Sequence, residues 1–284
     1  IDVMKVLVTG SQGFTGKYLC EELEKCGHAA VGLAADLTDG AAVADEVHDI
    51  KPEAVAHLAG ISFVAHANAS QIYNVNLLGT CNLLDALIRH AAAVRHVLLA
   101  SSAYVCGNKN EGTLFATSPL EPNNDYAVSK LAMEKMAELR MDRLPILIVR
   151  PYNYTGVGQE DKFVIPKIIS HFRDRKGRIS LGNIDVYREF GDVRRVAKIY
   201  RKLMESEIAK EAISICTGAA YSLRDVLSLC EEISGHRLEV EVNQDLVRKD
   251  EVKILVGNRG RLDSLIGQEE DVSLRDTLSW MLHA

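Results

Sequence analysis

Lys5-Val6-Leu7-Val8-Thr9-Gly10-Ser11-Gln12-Gly13-Phe14-Thr15-Gly16 joins an apolar run to three evenly spaced glycines. The run Lys5–Thr9 has no polar–apolar alternation, so it predicts a strand buried on both faces. The residues after it, Lys17–Cys26, place Tyr18, Leu19 and Leu23 at helical spacing. A glycine turn between a buried strand and a helix lets backbone approach a pyrophosphate closely, and the helix N-terminus adds N–H donors and a positive dipole end. The turn residues Gly10, Gln12, Gly13, Phe14, Thr15 and Gly16 are therefore candidate dinucleotide contacts.

The same alternation continues outward. Strands are expected at Ala29–Leu33, Ala54–Leu58, Val97–Ala100 and Ile146–Val149. Helices are expected at Ala41–Ile50, Ile72–His90 and Tyr126–Met141, the second with Leu77, Leu78, Leu83, Leu84 and Leu87 on its buried side. This pattern predicts an α/β chain with a doubly wound parallel sheet of Rossmann type. After Arg150 the pattern changes. Pro151–Gly158 reads as a loop; Pro166–Arg173, Val193–Glu205 and Ser222–Ser234 read as helices, and Leu238–Val242 as an edge strand. We expect a dinucleotide-binding domain over residues 1–155 that also receives roughly 183–217, and a smaller interleaved lobe over 156–182 and 218–284.

The chain has 284 residues, a net charge of −6, 47% hydrophobic and 25% charged residues. That balance argues against a diffuse nucleic-acid surface. No apolar run reaches membrane-spanning length. The opening Ile1-Asp2-Val3-Met4-Lys5 does not read as a signal peptide, and Met4 reads as a natural start. Cysteines at 20, 26, 81, 106, 216 and 230 form no Cys-x-x-Cys or zinc-type spacing, so reduced thiols in a cytoplasmic protein and no structural metal are expected.

Several polar and small residues fall where such a sheet collects ligands, at the carboxyl ends of its strands. Leu58, Ala59 and Gly60 close the third strand, and the small residues among them suit backbone passing close to a cofactor. Asn76 is a polar residue on an apolar helix face, placed to bond nearby backbone. Asp36, beside Leu37, lies about 20 residues after Gly16, where an acid meets the ribose 2′-hydroxyl of NAD. No Lys or Arg occurs between Lys25 and Lys51. The reading leans to NAD(H), with NADP(H) also open. Ser101 and Ser102 follow the fourth strand, and Ser102 is a candidate for bonding a substrate oxygen. Tyr126 and Lys130 are four apart, on one helix face. An ammonium beside a phenol favours phenolate and yields a proton donor and acceptor for chemistry at a carbon bearing oxygen. About half a Tyr-x-x-x-Lys match is expected by chance in this composition, so the pair gains meaning only from its setting.

Taken in order, the glycine turn, His57–Gly60, Asn76, Ser102, Tyr126 and Lys130 resemble the extended short-chain dehydrogenase/reductase family. The resemblance implies that Tyr126 is the acid/base, that Lys130 holds the nicotinamide ribose and lowers the tyrosine pKa, and that Ser102 orients substrate. Arg150-Pro-Tyr-Asn153, Lys162-Phe163-Val164, Arg188-Glu-Phe and Arg248-Lys-Asp-Glu251 resemble the branch of GDP-mannose 4,6-dehydratases and GDP-4-keto-6-deoxy-D-mannose reductases. The implied substrate is a GDP-sugar or related nucleotide sugar, with Asn153, Lys162 and Val164 among its contacts. Arg188 and Arg248 suit a pyrophosphate because guanidinium forks bind phosphate bidentately, and Glu251 suits guanine N–H groups or ribose hydroxyls. Where a dehydratase of this branch carries a carboxylate after its catalytic Ser or Thr, this chain has Ala103 and Tyr104. That departure points to reduction of a C4 keto group, giving GDP-D-rhamnose. A second departure is Cys106, where relatives usually have Tyr. A nucleotide-sugar 4-epimerase and a non-catalytic dinucleotide sensor are the alternatives. The resemblance also implies a homodimer through the Ile72–His90 and Tyr126–Met141 helices.

Overall fold

The computed structural model describes residues 2–62, 68–107, 112–247, 253–268 and 271–284. Its contacts divide the chain into two units. The first comprises 1–107, 119–151 and 197–214; the second comprises 108–118, 152–196 and 215–284.

The first unit is built on a six-stranded sheet. In chain order its strands are β1 (Lys5–Thr9), β2 (Ala29–Gly32), β3 (Ala54–His57), β4 (His96–Ala100), β5 (Ile146–Pro151) and β6 (Ala212–Ile215). Their spatial order is β2-β1-β3-β4-β5-β6. Neighbours from β2 through β5 run parallel, as continuous apolar strands predict. Leu7, Val55, Val97, Leu99, Ile146 and Ile148 face a core shared with helices α2 (Gly40–Ile50), α4 (Thr80–His90) and α5 (Asp125–Glu138). Residues alternating with these, such as Val6, Val8, Leu98 and Leu147, are also fully buried. Both faces of the sheet are therefore covered. β1 has β2 on one side and β3 on the other, so the winding reverses there. The crevice at such a reversal is where open α/β sheets bind ligands.

Two expectations are corrected in this unit. The helix expected over Ile72–His90 is three pieces: α3 (Ala69–Tyr73), a π-helical stretch Asn74–Gly79, and α4. The wider turn changes the phase of the helix face. Asn76 and Gly79 take buried places, while Leu78, expected inside, is 53% exposed. The segment returning to this unit is Ala197–Ser214, shorter than the expected 183–217. Tyr187–Arg188 instead joins a second sheet, and Gly191–Asp192 pairs in parallel with Tyr154–Thr155, a short strand inside the expected loop.

In the second unit, helices Val164–Arg173, Leu223–Ser234 and Leu274–His283 enclose a core of Ile168, Phe172, Val226, Cys230, Leu278 and Met281. A four-stranded sheet runs Tyr221–Ser222, Tyr187–Arg188, Ile254–Gly257, Gly112–Leu114 in spatial order. The expected edge strand is Glu239–Val242, paired in parallel with Arg178–Leu181. Isolated two- and three-residue strands leave too little periodicity to be read in sequence. The helix Leu274–His283 lies beyond the last element the sequence reading assigned. Among the described residues, no helix is long and apolar enough to cross a membrane.

One tight point of the first unit lies at the glycine turn. A methyl group on Gly16 would collide with the Gly10 carbonyl oxygen and with Ser11 Cα. Gly16→Ala is expected to force the helix Phe14–Lys25 (α1) off the turn and to cost about 1–3 kcal/mol, the usual penalty of overpacking. Urea denaturation checks this; an unchanged midpoint contradicts it.

Candidate active site

The site in the first unit grows from the ends of β1, β3 and β4. After β1 the backbone turns at Gly10, whose φ is +70°, a conformation that favours glycine. A side chain there would also lie 3.0 Å from the Ala59 amide nitrogen. The turn closes with a 2.9 Å bond from Gly13 N–H to the Gly10 carbonyl. Gly13 is the N-cap of α1 and brings no side-chain cap, and the positive end of the helix dipole lies at this turn. Small residues, a turn against Ala59 and a helix N-terminus fit a dinucleotide pyrophosphate.

The residue after β3 is held by a chain of hydrogen bonds whose protons can be assigned. Thr80 Oγ1 donates to the Asn76 carbonyl at 2.7 Å. Having used its proton, it accepts from His57 Nε2–H at 2.8 Å. His57 Nδ1 is then an acceptor and takes the Thr9 hydroxyl proton at 2.7 Å. Thr9 Oγ1 in turn accepts from the amides of Leu58 and Ala59 at 3.2 and 3.1 Å. Every donor has one acceptor. His57 is neutral in this arrangement, and burial, then the nearby Lys130 charge, lowers its pKa to about 3. The chain ties the end of β3 to the end of β1 and so sets the path of Leu58-Ala59-Gly60.

Asn76 completes that cradle. Its Oδ1 accepts from Ile61 N–H at 2.8 Å, and its Nδ2 donates to the Ile61 carbonyl at 3.1 Å and to Ser129 Oγ at 3.0 Å. Ser129 Oγ donates to the Tyr126 carbonyl at 2.7 Å. A methyl on Gly60 would lie 3.0 Å from Asn76 Oδ1 and 3.2 Å from Lys130 Nζ. The β3 loop, the π-helical stretch and α5 thus meet at Gly60.

Tyr126 stands in the first turn of α5, half-buried, behind the N-cap Asn124. Lys130 lies one turn later, buried, and donates to the Ala100 carbonyl at 2.9 Å. Burial lowers its pKa to about 8, against an opposing effect of Glu134. Glu134, a further turn along, is a residue the sequence reading missed. Arg150 grips it through Nε at 2.9 Å and Nη2 at 2.7 Å, and Ser101 Oγ donates to it at 2.5 Å. All three side chains are buried. Tyr126, Lys130 and Glu134 follow the four-residue spacing of one helix face, a signal that was present in the sequence. Ser102 is buried and caps the 3₁₀ turn Ala103–Cys106 by accepting from Tyr104 N–H at 3.2 Å. Its hydroxyl keeps a proton to donate. Asp36 is exposed and turned onto Thr38, accepting from its amide and its hydroxyl, each at 2.8 Å. Leu37 is buried in the core.

The second unit holds the sugar-nucleotide candidates. Arg188 is half-buried on its short strand and donates through Nη1 to the Tyr187 carbonyl at 2.7 Å. The next residue, Glu189, anchors that strand from below. It accepts from the amides of Gly257 at 2.6 Å and Thr217 at 2.5 Å, and from Thr217 Oγ1 at 3.0 Å. The Asn153 carbonyl accepts from Gly191 N–H at 2.9 Å. Lys162 is exposed and pairs with Glu160 at 2.6 Å; Val164 opens a helix. Arg248 and Glu251 lie outside the described residues. Among the described residues, no group of three or more His, Cys, Asp or Glu is placed to hold a metal ion.

Residues 6–216 match the model of the NAD dependent epimerase/dehydratase family, and the chain belongs to that family. It is 35% identical over 272 residues to a GDP-6-deoxy-D-talose 4-dehydrogenase of Aggregatibacter actinomycetemcomitans, covering 94% of this chain and 92% of the relative. It is 31% identical over 295 residues to a GDP-6-deoxy-D-mannose reductase of Pseudomonas aeruginosa, covering 98% and 96%. The structure of RMD from Pseudomonas aeruginosa complexed with NADPH superposes with a TM-score of 0.89 at 30% identity, covering 99% of this chain and 97% of that one. The sheet described above is the Rossmann-type sheet of these enzymes.

Two expectations follow. His57 is neutral when folded, with a pKa near 3, against an ordinary value of 6.5. Its contribution to stability is complete above pH 6.5 and is lost as pH falls from 6.5 toward 3, because the unfolded chain takes up the proton first. Nitrogen-detected NMR should show an Nε2–H imidazole that stays neutral down to pH 5; a protonated ring at pH 5 contradicts this. Glu134→Gln removes the carboxylate that raises the Lys130 ammonium, so the alkaline limb of dinucleotide binding, set near pH 8, moves to lower pH. The same change strands the buried Arg150 charge and is expected to cost about 3–5 kcal/mol. Binding titrations across pH check the first part, denaturation the second.

Proposed function

We propose that this enzyme reduces the C4 keto group of a GDP-4-keto-6-deoxy sugar, with GDP-4-keto-6-deoxy-D-mannose as substrate. The observation that carries the reading is the pairing of a complete Ser102, Tyr126 and Lys130 set with the absence of a carboxylate beside it. Elimination of water from a sugar needs an acid/base after Ser102. Ala103 has none, and Tyr104 offers a phenol in place of a carboxylate. Glu134, the carboxylate buried on the same helix as Lys130, is engaged by Arg150 and Ser101, which gives it a supporting place in this reading.

The roles follow from chemistry. The bound nicotinamide supplies hydride. Tyr126 gives its proton to the oxygen that becomes the C4 hydroxyl. Lys130, held on the Ala100 carbonyl, keeps a positive charge near the phenol and favours phenolate after that transfer. Ser102 orients the keto oxygen through its remaining proton. Arg188, steadied by Glu189, is the described cation for the sugar nucleotide's phosphates, with Arg248 its expected companion. Asn153, Lys162 and Val164 complete the proposed sugar-nucleotide contacts. In this reading the enzyme works in the cytoplasm as a homodimer through the α4 and α5 side of the first unit.

Two names among the relatives support the reading, and they differ in outcome. A 6-deoxymannose and a 6-deoxytalose are epimers at C4. The same keto sugar therefore gives one or the other according to the face that receives hydride. GDP-D-rhamnose is the product expected from sequence. The talose configuration is the second reading, favoured by the 35% identity to the talose enzyme.

Purified protein incubated with the keto sugar nucleotide should oxidise NADH or NADPH, and NMR of the product should show one C4 configuration. No oxidation of either cofactor would sink the proposal. Interconversion of two sugars without net oxidation would favour an epimerase instead. Tyr126→Phe is expected to lose at least about a hundredfold in kcat while still binding cofactor, since general acid catalysis contributes that much or more.

A further inference from the structure

The end of β2 carries a feature that neither the mechanism nor the sequence reading uses. The amides of Ala34 and Ala35 both point at one carboxylate, that of Glu46 on α2, at 2.8 and 2.7 Å to its two oxygens. Glu46 is half-buried and Ala34 is exposed, so the pair sits at the rim of the fold. The rim borders the proposed dinucleotide cradle: a side chain on Gly32, at the end of β2, would press on Ser11 Oγ of the glycine turn. Leu33 continues the ladder, its amide bonding the Val8 carbonyl at 3.2 Å. In a sheet of this type, the end of the second strand meets the adenosine ribose and its 2′ substituent.

We propose that Glu46 selects the cofactor, favouring NAD(H) and disfavouring its 2′-phosphorylated counterpart. A ribose 2′-hydroxyl donates a proton, and each Glu46 oxygen keeps a lone pair to accept it. A 2′-phosphate brings negative charge and needs donors. Here it meets a carboxylate, and the two nearest backbone donors are already engaged by that carboxylate. No Lys or Arg between Lys25 and Lys51 supplies a compensating cation. Asp36, the acid expected from spacing, accepts twice from Thr38 through Oδ1 and keeps Oδ2, so it is the rival that the Asp36→Asn variant tests. Glu46 reaches the same rim from a helix, outside the spacing at which an acid is sought in sequence. The inference rests on the cofactor class of the family and not on the identity of the sugar. The NADPH-bound Pseudomonas structure shows that the fold itself does not forbid the phosphate.

Direct binding tests it without any sugar. Wild type, Glu46→Gln, Glu46→Ala and Asp36→Asn are titrated calorimetrically with NADH and NADPH, and with AMP and adenosine 2′,5′-bisphosphate as probes of the ribose end alone. Wild type is expected to bind NADH at least about tenfold tighter than NADPH, the scale of a like-charge clash against a charge-assisted bond. Both Glu46 variants should move the two affinities in opposite directions, NADH weaker and NADPH tighter, and the two mononucleotides should follow. General loosening of the loop would weaken both alike. Glu46→Gln keeps one of the two loop acceptors, and denaturation of both variants beside the titrations separates charge from folding. Equal or NADPH-favouring affinity in wild type, an unchanged ratio in the Glu46 variants, or a ratio altered by Asp36→Asn alone overturns the assignment. Failure of wild type to bind any dinucleotide overturns the cofactor reading and this assignment with it.

Discussion

One threonine hydroxyl joins the two strands between which the sheet reverses. Thr9 Oγ1 accepts from two amides beyond β3 and donates to His57. Through His57 and Thr80 the same chain reaches the Asn76 carbonyl. Buried polar atoms at strand ends cost free energy unless they are paired. Here the pairing is complete, so the need to satisfy them fixes where Leu58, Ala59 and Gly60 run. Gly10 packs against that loop, Lys130 and Asn76 face it, and the proposed cradle for a dinucleotide is the space that results.

A second layer, of buried charge, lies along α5. Lys130 is kept away from water and held on a backbone carbonyl. Desolvation alone would drive it neutral. Glu134 counters that tendency, and Arg150 holds Glu134 in place by a bidentate pair. Ser101 bonds Glu134 while the neighbouring Ala100 carbonyl bonds Lys130. The end of β4 is thus positioned from two sides, and Ser102 follows directly from it. The proposed catalytic set depends on this support as much as on its own residue types. In the second unit Glu189 does similar work, bonding Gly257 and Thr217 so that Arg188 is presented from a short but anchored strand.

Much of the first unit was legible in sequence. Five of its strands and its principal helices follow from apolar runs and helical spacing, which are local properties. The glycine turn, Ser102, and Tyr126 with Lys130 were visible because backbone approach and proton transfer require particular residue types at fixed short separations. The π-helical turn was not visible, since one additional residue in a turn leaves the surrounding pattern nearly intact while moving Asn76 inward and Leu78 outward. Much of the second unit was hidden for another reason. Strands of two to four residues, such as Tyr187–Arg188 and Tyr154–Thr155, have no periodicity of their own and exist through their partners.

By itself, then, the sequence determined the α/β class, the dinucleotide turn and the residue types able to move a proton at a carbon bearing oxygen. Each of these depends on neighbours within a few positions. Tertiary structure alone decided which polar groups share protons across the fold: Thr9 with His57, Glu134 with Arg150, Glu46 with the amides after β2. Those partners lie from 11 to 48 residues apart. What brings them together is the cost of leaving a buried polar atom unpaired, which only the packed chain can relieve.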